Sequence, residues 1–267
     1  MRVSRTAVVA GAEKGTIKRS YGRLRLLLKR HFGSDVVEHV PFGSFSRQTI
    51  LPRRLDEKSD VDFMVVFDND GCQPQTYLDR LRRFVEANYN RSEIKQSHPT
   101  IQLSLNHITF ELVPAIKDFW GGYQIPVRED PWDSWMSTNP TGFNNDLVEA
   151  NKDHNQLVKP LVRVLKYWNA VAGYPFESFV LEREIVEHIQ GTMYMFGRPK
   201  GIKGYLYDFT ENHIDSILPY FAADWRIQAV DRLCNTVEDM KVSERQLHMQ
   251  QAVGSLQRVM PPTWITV

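Results

Sequence analysis

Cysteine is nearly missing from this chain of 267 residues: Cys72 and Cys234 are the only two, far apart and without metal-ligand spacing. That excludes a disulfide framework and a zinc site built on paired cysteines, and it makes reduced thiols in a cytoplasmic setting the expectation. Net charge is almost absent too. Thirty-three basic against thirty-two acidic residues leave +1, too weak a field to hold a long nucleic acid by counterion release, so an anionic ligand has to be gripped by local groups. No run approaches the roughly 20 apolar residues of a membrane span. The opening MRVSRTAVVAGAEKG lacks the apolar stretch of a signal peptide, so no membrane is expected as a partner. Low-complexity tracts and internal repeats are also lacking, which excludes solenoids and long disordered segments.

What is present suits a soluble globular protein. Hydrophobic residues make up 42% of the chain, enough for a real core. The length exceeds the commonest domain size of roughly 100–150 residues, so one large domain or two packed lobes are expected. Between Gly15 and Phe32, Ile17, Tyr21, Leu24 and Leu27 or Leu28 recur at helical spacing among basic residues, which predicts an amphipathic helix. The β-branched run Val36–Val40 reads as a strand ending in a turn at PFGSFSR. DVDFMVVF, from Asp60 to Phe67, reads as a buried central strand closed by the turn DNDG. Leu78, Leu81, Phe84 and Val85 predict a second helix, and TIQLSL and HITFELVPA predict a hairpin turning at Asn106 and His107.

The resulting order of helix, strand, strand, helix, strand, strand gives an α/β (α+β) core with a mixed sheet over 1–140. A stretch rich in Gly, Pro, Trp and Asn follows Trp120, and helical patterns then predict a second, helical lobe over 141–267. The terminal PPTWITV reads either as an exposed tail or as a docking segment.

Chemistry concentrates on carboxylates. Residues two apart on a strand point the same way, so Asp60 and Asp62 project together while Val61 and Phe63 face the core. An isolated D-x-D more often caps an edge or meets lysines. Here the same strand runs on into FMVVF, where unpaired charge is costly, and two like charges at that spacing ask for a hard cation with oxygen ligands such as Mg²⁺. Glu111 stands alone in ITFELVPA, on the face opposite Phe110 and Leu112; it is either a solvated residue on a wet face or a third metal ligand. Upstream, Gly43 lets the backbone approach a phosphate and Ser44 offers a hydroxyl and an amide.

GS followed by DVDF and then FELVPA resembles the polymerase-β nucleotidyltransferase superfamily, and within it the branch of the oligoadenylate synthases, cGAS and the bacterial cyclic-oligonucleotide synthases known as CD-NTases. NQLVKPLVRVLKYWN and ESFVLEREIVEHI resemble that branch's lysine-bearing helix and its Ser-x-x-Leu-Glu helix. Those segments also read physically. Leu161, Val164, Leu165 and Trp168 form an apolar stripe, while Lys159, Arg163 and Lys166 share another face. Ser178 stands where a serine caps a helix whose free amides bind phosphate. Capping alone would account for Ser178, and solvation alone for the basic stripe.

The resemblance implies a nucleotidyltransferase core with its active site in a cleft against the helical lobe. It implies Asp60, Asp62 and Glu111 as catalytic metal ligands for Mg²⁺ or Mn²⁺, and Gly43, Ser44, Lys166 and Ser178 as nucleotide-binding residues, with Arg47 and Arg163 as secondary candidates. The substrates implied are NTPs, ATP among them. The product implied is a cyclic or linear oligonucleotide second messenger of antiviral defence, read by a separate effector. Two departures stand out: a longer connector between Ser44 and Asp60, and glutamate where the branch commonly has aspartate. The same fold acting on tRNA, a protein or a small molecule, or serving as an inactive nucleotide sensor, are the rival readings.

Overall fold

The computed structural model describes residues 7–97, 99–127, 134–195, 197–246 and 248–261, so PPTWITV lies outside it apart from Pro261. The chain divides into two compact units. One takes Val9–Arg53 and Lys58–Asn144; the other takes Arg54–Glu57 and the chain from Asn145 onward, with the residues before Val9.

The first unit is a seven-stranded mixed sheet. Its elements are α1 (Gly11–Phe32), β1 (Val36–Pro41), α2 (Gly43–Arg47), β2 (Asp60–Phe67), α3 (Pro74–Asn88), β3 (Glu93–Ser97), β4 (Thr100–Ser104), β5 (Thr109–Lys117), β6 (Tyr123–Pro126) and β7 (Trp135–Thr138). The strands run in the order β1-β2-β5-β4-β3, with β6 pairing onto β5 and β7 onto β6. Among the described residues only β2 and β5 are parallel, and the other strand pairs are antiparallel. The predicted β4–β5 hairpin is present, closed by the Leu105 amide donating to the Ile108 carbonyl at 2.8 Å.

Period-two alternation sorts the two faces. Val61, Phe63, Val65 and Phe67 of β2, with Phe110 and Leu112 of β5, join Ile17, Leu24 and Leu28 of α1 and Leu78, Leu81 and Phe84 of α3 in one core cluster. Fully burying each such side chain contributes about 1.5–3 kcal/mol, so this face anchors the sheet. On the opposite face Met64, Val66 and Ala115 pack with Val40, Phe42, Tyr123 and Ile125. Asp60 and Asp62 continue that second face toward the start of β2.

The structure corrects the sequence reading in three places. PFGSFSR is not a simple turn, because Gly43–Arg47 coil into a short helix ending at Gln48 in the left-handed region. β3 carries no strand pattern in the sequence, since EIKQS has a single apolar residue, Ile94, among charged and polar ones. The Gly- and Trp-rich stretch holds the β6–β7 hairpin rather than loop alone.

The second unit is helical: α4 (Gly142–Asp153, starting just inside the sheet unit's range), α5 (Val158–Val171), α6 (Ser178–Gly191), α7 (Gly201–Asn212), α8 (Asp224–Arg245) and α9 (Met249–Val259). The apolar stripe expected on α5 is buried throughout, with Leu161, Val164, Leu165 and Trp168 at 1% exposure or less. Among the described residues no helix is long and apolar enough to cross a membrane.

His154, buried after α4, hydrogen-bonds through Nδ1 to the Tyr205 hydroxyl at 2.7 Å. Burial first, and the Arg198 charge second, hold its imidazole below the ordinary 6.5; His39 on β1 is lowered by burial too. Well above pH 6.5 both histidines are neutral, folded or unfolded, and contribute no pH dependence. As pH falls below that value the unfolded chain takes protons that the folded chain refuses, so stability declines. Melting curves between about pH 7 and pH 5 are expected to show this, and His154→Gln is expected to lose less melting temperature over the same interval than the wild type.

Candidate active site

The sheet brings three acids onto one face. Val61 and Phe63 are fully buried against the helices, while Asp60 and Asp62 are half-buried on the other side. In the parallel ladder Asp60 lies opposite Thr109 and Asp62 opposite Glu111. The next strand continues both rows, with Ser104 opposite Thr109 and Gln102 opposite Glu111. Two polar rows therefore cross β2, β5 and β4: Asp60–Thr109–Ser104 and Asp62–Glu111–Gln102. Neighbouring strands stand about 4.8 Å apart, so Asp62 and Glu111 are adjacent acids. The Gln102 amide donates to Glu111 Oε1 at 2.7 Å, and the Thr109 hydroxyl to Ser104 Oγ at 3.4 Å.

The loop between β1 and α2 sits directly over Asp62. Phe42 donates its amide to the Asp62 carbonyl at 3.3 Å, which holds the loop against β2. Gly43 follows with φ +68°, and a Cβ built on it would fall 1.6 Å from Asp62 Oδ2. No side chain fits there. Glycine is thus required twice over, by a backbone conformation that L residues disfavour and by the carboxylate beneath it. Ser44 turns its carbonyl inward to accept the Thr49 and Ile50 amides at 2.9 and 3.0 Å. Its hydroxyl makes no hydrogen bond among the described residues. Arg47 is buried, with its guanidinium 5.3 Å from the Phe143 ring centroid.

In the helical unit the basic stripe of α5 is not the solvated face that its charges suggest. Lys166 is only 6% exposed, and Glu182 on α6 is fully buried. Burial, then the neighbouring Arg163 charge, pull the Lys159 ammonium below its usual value, with Glu182 opposing. Burial also lowers the Arg163 guanidinium, which still stays charged. Sequence pattern alone gives Glu182 no special place, yet its fully buried carboxylate acts on Lys159 and offsets part of the cost of burying that ammonium.

Ser178 is the first residue of α6 rather than its cap. Glu177 holds the cap position without a side-chain cap bond, so the capping role expected of Ser178 is corrected. The start of α6 is set instead by Asn169, fully buried on α5. Its carboxamide donates to the Phe176 carbonyl at 2.9 Å and accepts the Phe176 amide at 3.0 Å. The amides of the first turn of a helix have no partner within it, and at α6 Ser178 adds a hydroxyl beside them.

The acids belong to the sheet unit, and Lys166 and Ser178 belong to the helical unit. Among the described residues no three His, Cys, Asp or Glu side chains form a finished metal-holding group. The donor set nonetheless suits Mg²⁺. All the candidate ligands are carboxylate oxygens, one Glu111 oxygen takes only a neutral amide and the other has no partner among the described residues, and the Asp62 carboxylate lies against the bare Cα of Gly43, where any side chain would displace it. Mg²⁺ binds through one or two carboxylates completed by substrate phosphates rather than in an all-protein cage, so an unfinished group is the form to expect.

The chain resembles known proteins both in sequence and in fold. Residues 4–151 match the family described as the Second Messenger Oligonucleotide or Dinucleotide Synthetase domain. A probable cyclic nucleotide synthase of Bacillus cereus is 28% identical over 204 residues, covering 63% of this chain and 60% of that protein. A cyclic AMP-AMP-AMP synthase of an Acinetobacter species is also 28% identical, over 180 residues covering 64% of this chain and 52% of that protein. The match thus spans half to three-fifths of the length of these relatives. Among solved structures, GTP-bound DncV of Vibrio cholerae aligns with a TM-score of 0.78 at 10% identity, over 98% of this chain and 92% of that one. Escherichia coli CdnC, solved in complex with a HORMA protein, aligns at 0.74 and 13% identity, over 99% and 96%. At such identities the structures show a shared fold.

Proposed function

Because the chain belongs to the Second Messenger Oligonucleotide or Dinucleotide Synthetase domain family, the CD-NTase branch of the nucleotidyltransferases, we propose that it joins nucleoside triphosphates into a cyclic or linear oligonucleotide signal and releases pyrophosphate. The observation that carries this is the acid row Asp62–Glu111, fixed by strand register and overhung by the obligate Gly43. Asp60 and Asp62, with Glu111, would hold Mg²⁺ or Mn²⁺, which when bound supplies the positive charge that offsets the carboxylates and the triphosphate.

The chain's own residues set the rest. The Gly43–Ser44 backbone, free of side-chain bulk above Asp62, accommodates phosphate oxygens, and the unpartnered Ser44 hydroxyl donates to one. In the helical unit, Lys166 and the Ser178 hydroxyl with the first-turn amides of α6 are groups able to donate to phosphate. A ribose hydroxyl placed beside Asp60 attacks the α-phosphorus in line, its proton passing to a carboxylate or to water, while the α–β oxygen bridge breaks toward the pyrophosphate. The chain thus contributes position and electrostatics rather than a covalent intermediate. The near-zero net charge accords with mononucleotides rather than long nucleic acid as partners. The signal, as in relatives named for anti-phage signalling systems (CBASS), would act in antiviral defence on a separate effector.

The test is to incubate the protein with labelled NTPs and Mg²⁺ and no other acceptor, and to resolve products by mass spectrometry. Oligonucleotides with matching pyrophosphate are expected. Transfer that appears only when tRNA, protein or a small-molecule acceptor is added would replace this reading by acceptor modification. No consumption of nucleotide under any condition would leave a binding module.

A further inference from the structure

The third acid is a glutamate, whose extra methylene gives its carboxylate one more rotatable bond than an aspartate has. A ligand with that freedom pays conformational entropy to hold one pose. Gln102 supplies a restraint. It faces Glu111 directly in the β4–β5 register and donates to Glu111 Oε1 at 2.7 Å. Both side chains are half-buried on the acid face. No ion pair or second hydrogen bond engages Glu111 among the described residues. One oxygen is therefore held on the β4 side, and the other is left toward β2, where Asp62 occupies the same row.

We infer that Gln102 is a positioning residue: it fixes the Glu111 carboxylate so that its second oxygen is presented beside Asp62, and it thereby sets how tightly the acid row takes a divalent cation. This rests on the proposed function for its context, but it is a claim about the geometry of Glu111 and is readable without turnover. Groups that orient ligands by hydrogen bonds typically affect metal affinity or activity 10–100-fold.

The experiment compares wild type, Gln102→Met, Glu111→Asp and the double variant. Two readouts are used: Mn²⁺ affinity, by electron paramagnetic resonance with a non-hydrolysable ATP analogue present, and the Mg²⁺ concentration giving half-maximal rate. Gln102→Met keeps side-chain length and removes the donor. It is expected to weaken Mn²⁺ binding and raise the Mg²⁺ half-saturation by about 10-fold or more, with a melting temperature within about 2 °C of wild type. In the Glu111→Asp background the same replacement should change either value less than about twofold, because the shorter carboxylate no longer reaches Gln102.

Unchanged Mn²⁺ affinity in Gln102→Met overturns the inference. So does an equal loss in both backgrounds, or a loss that merely tracks a fall in melting temperature. If Gln102→Met does not fold, Gln102→Asn withdraws the amide by one methylene. The same shift there supports the hydrogen bond, and no shift refutes it. If wild type forms no oligonucleotide, the functional reading fails while the Mn²⁺ titration still decides on Gln102. If wild type and Gln102→Met are equally active and bind Mn²⁺ equally, only the role of Gln102 falls.

Discussion

Asp62→Asn is expected to lower the proposed oligonucleotide formation about 10³-fold, and Asp60→Asn/Asp62→Asn to leave no measurable product, with circular dichroism expected to show the fold retained. Asparagine keeps the size of the side chain and removes its charge, so the strand can stay in register with β5 while the acid row loses the negative charge it needs. Charge stabilisation of a phosphoryl transfer is worth several kcal/mol, and each 1.36 kcal/mol is tenfold in rate. Turnover of the double variant at the wild-type rate, followed by release of pyrophosphate from labelled NTPs, would remove these carboxylates from the chemistry.

Gly43→Ala has the second large effect. At φ +68° an alanine costs about 1–2 kcal/mol relative to its preferred conformations. Its Cβ would also meet Asp62 Oδ2 at 1.6 Å, so either the carboxylate leaves its place or the β1–α2 loop lifts from β2. Misplacing a reacting group by about 1 Å costs on the order of 10²-fold in rate, and that loss is expected together with about 1–3 kcal/mol of stability. Urea melts and kcat measured on the same preparation separate the two. An alanine variant within about twofold of wild-type activity would mean that the loop yields freely, and the fit of Gly43 over Asp62 would then be incidental.

The parts that were legible in the sequence are those where one period dominates. Asp60 and Asp62 sit one pleat apart in a strand whose other face is Val61, Phe63 and Val65, so their common side followed from alternation alone. The hairpin at Asn106 and His107 and the core stripes of α3 and α5 were legible for the same reason. β3 was not, because its five residues are mostly polar and its partner β4, rather than its own composition, makes it a strand. α2 was hidden inside Pro and Gly signals that usually mark turns. Gly43 could be recognised as a place for close backbone approach, but the carboxylate that excludes a side chain lies in a different element and is met only in three dimensions.

Charged helix faces misled in the other direction. By charge alone Lys159, Arg163 and Lys166 also read as a solvated stripe, because burial of cations depends on counter-charge that no local pattern reveals; for Lys159 Glu182 provides it from the next helix. Gln102 carried no signal at all: an amide in a half-buried strand is unremarkable until the ladder sets it opposite Glu111. Longer-range pairing thus decides most of what separates a list of acids from a working arrangement.

Register also limits how such a protein can diversify. Sliding β5 by one residue would turn Phe110 and Leu112 outward and send Glu111 into the apolar layer, so the reactive row has no neighbouring position to which selection could move it by small steps. On the proposed function, any change in which nucleotides are joined, or in whether the product closes into a ring, has to be accommodated in segments off these three strands while the strands themselves stay as they are.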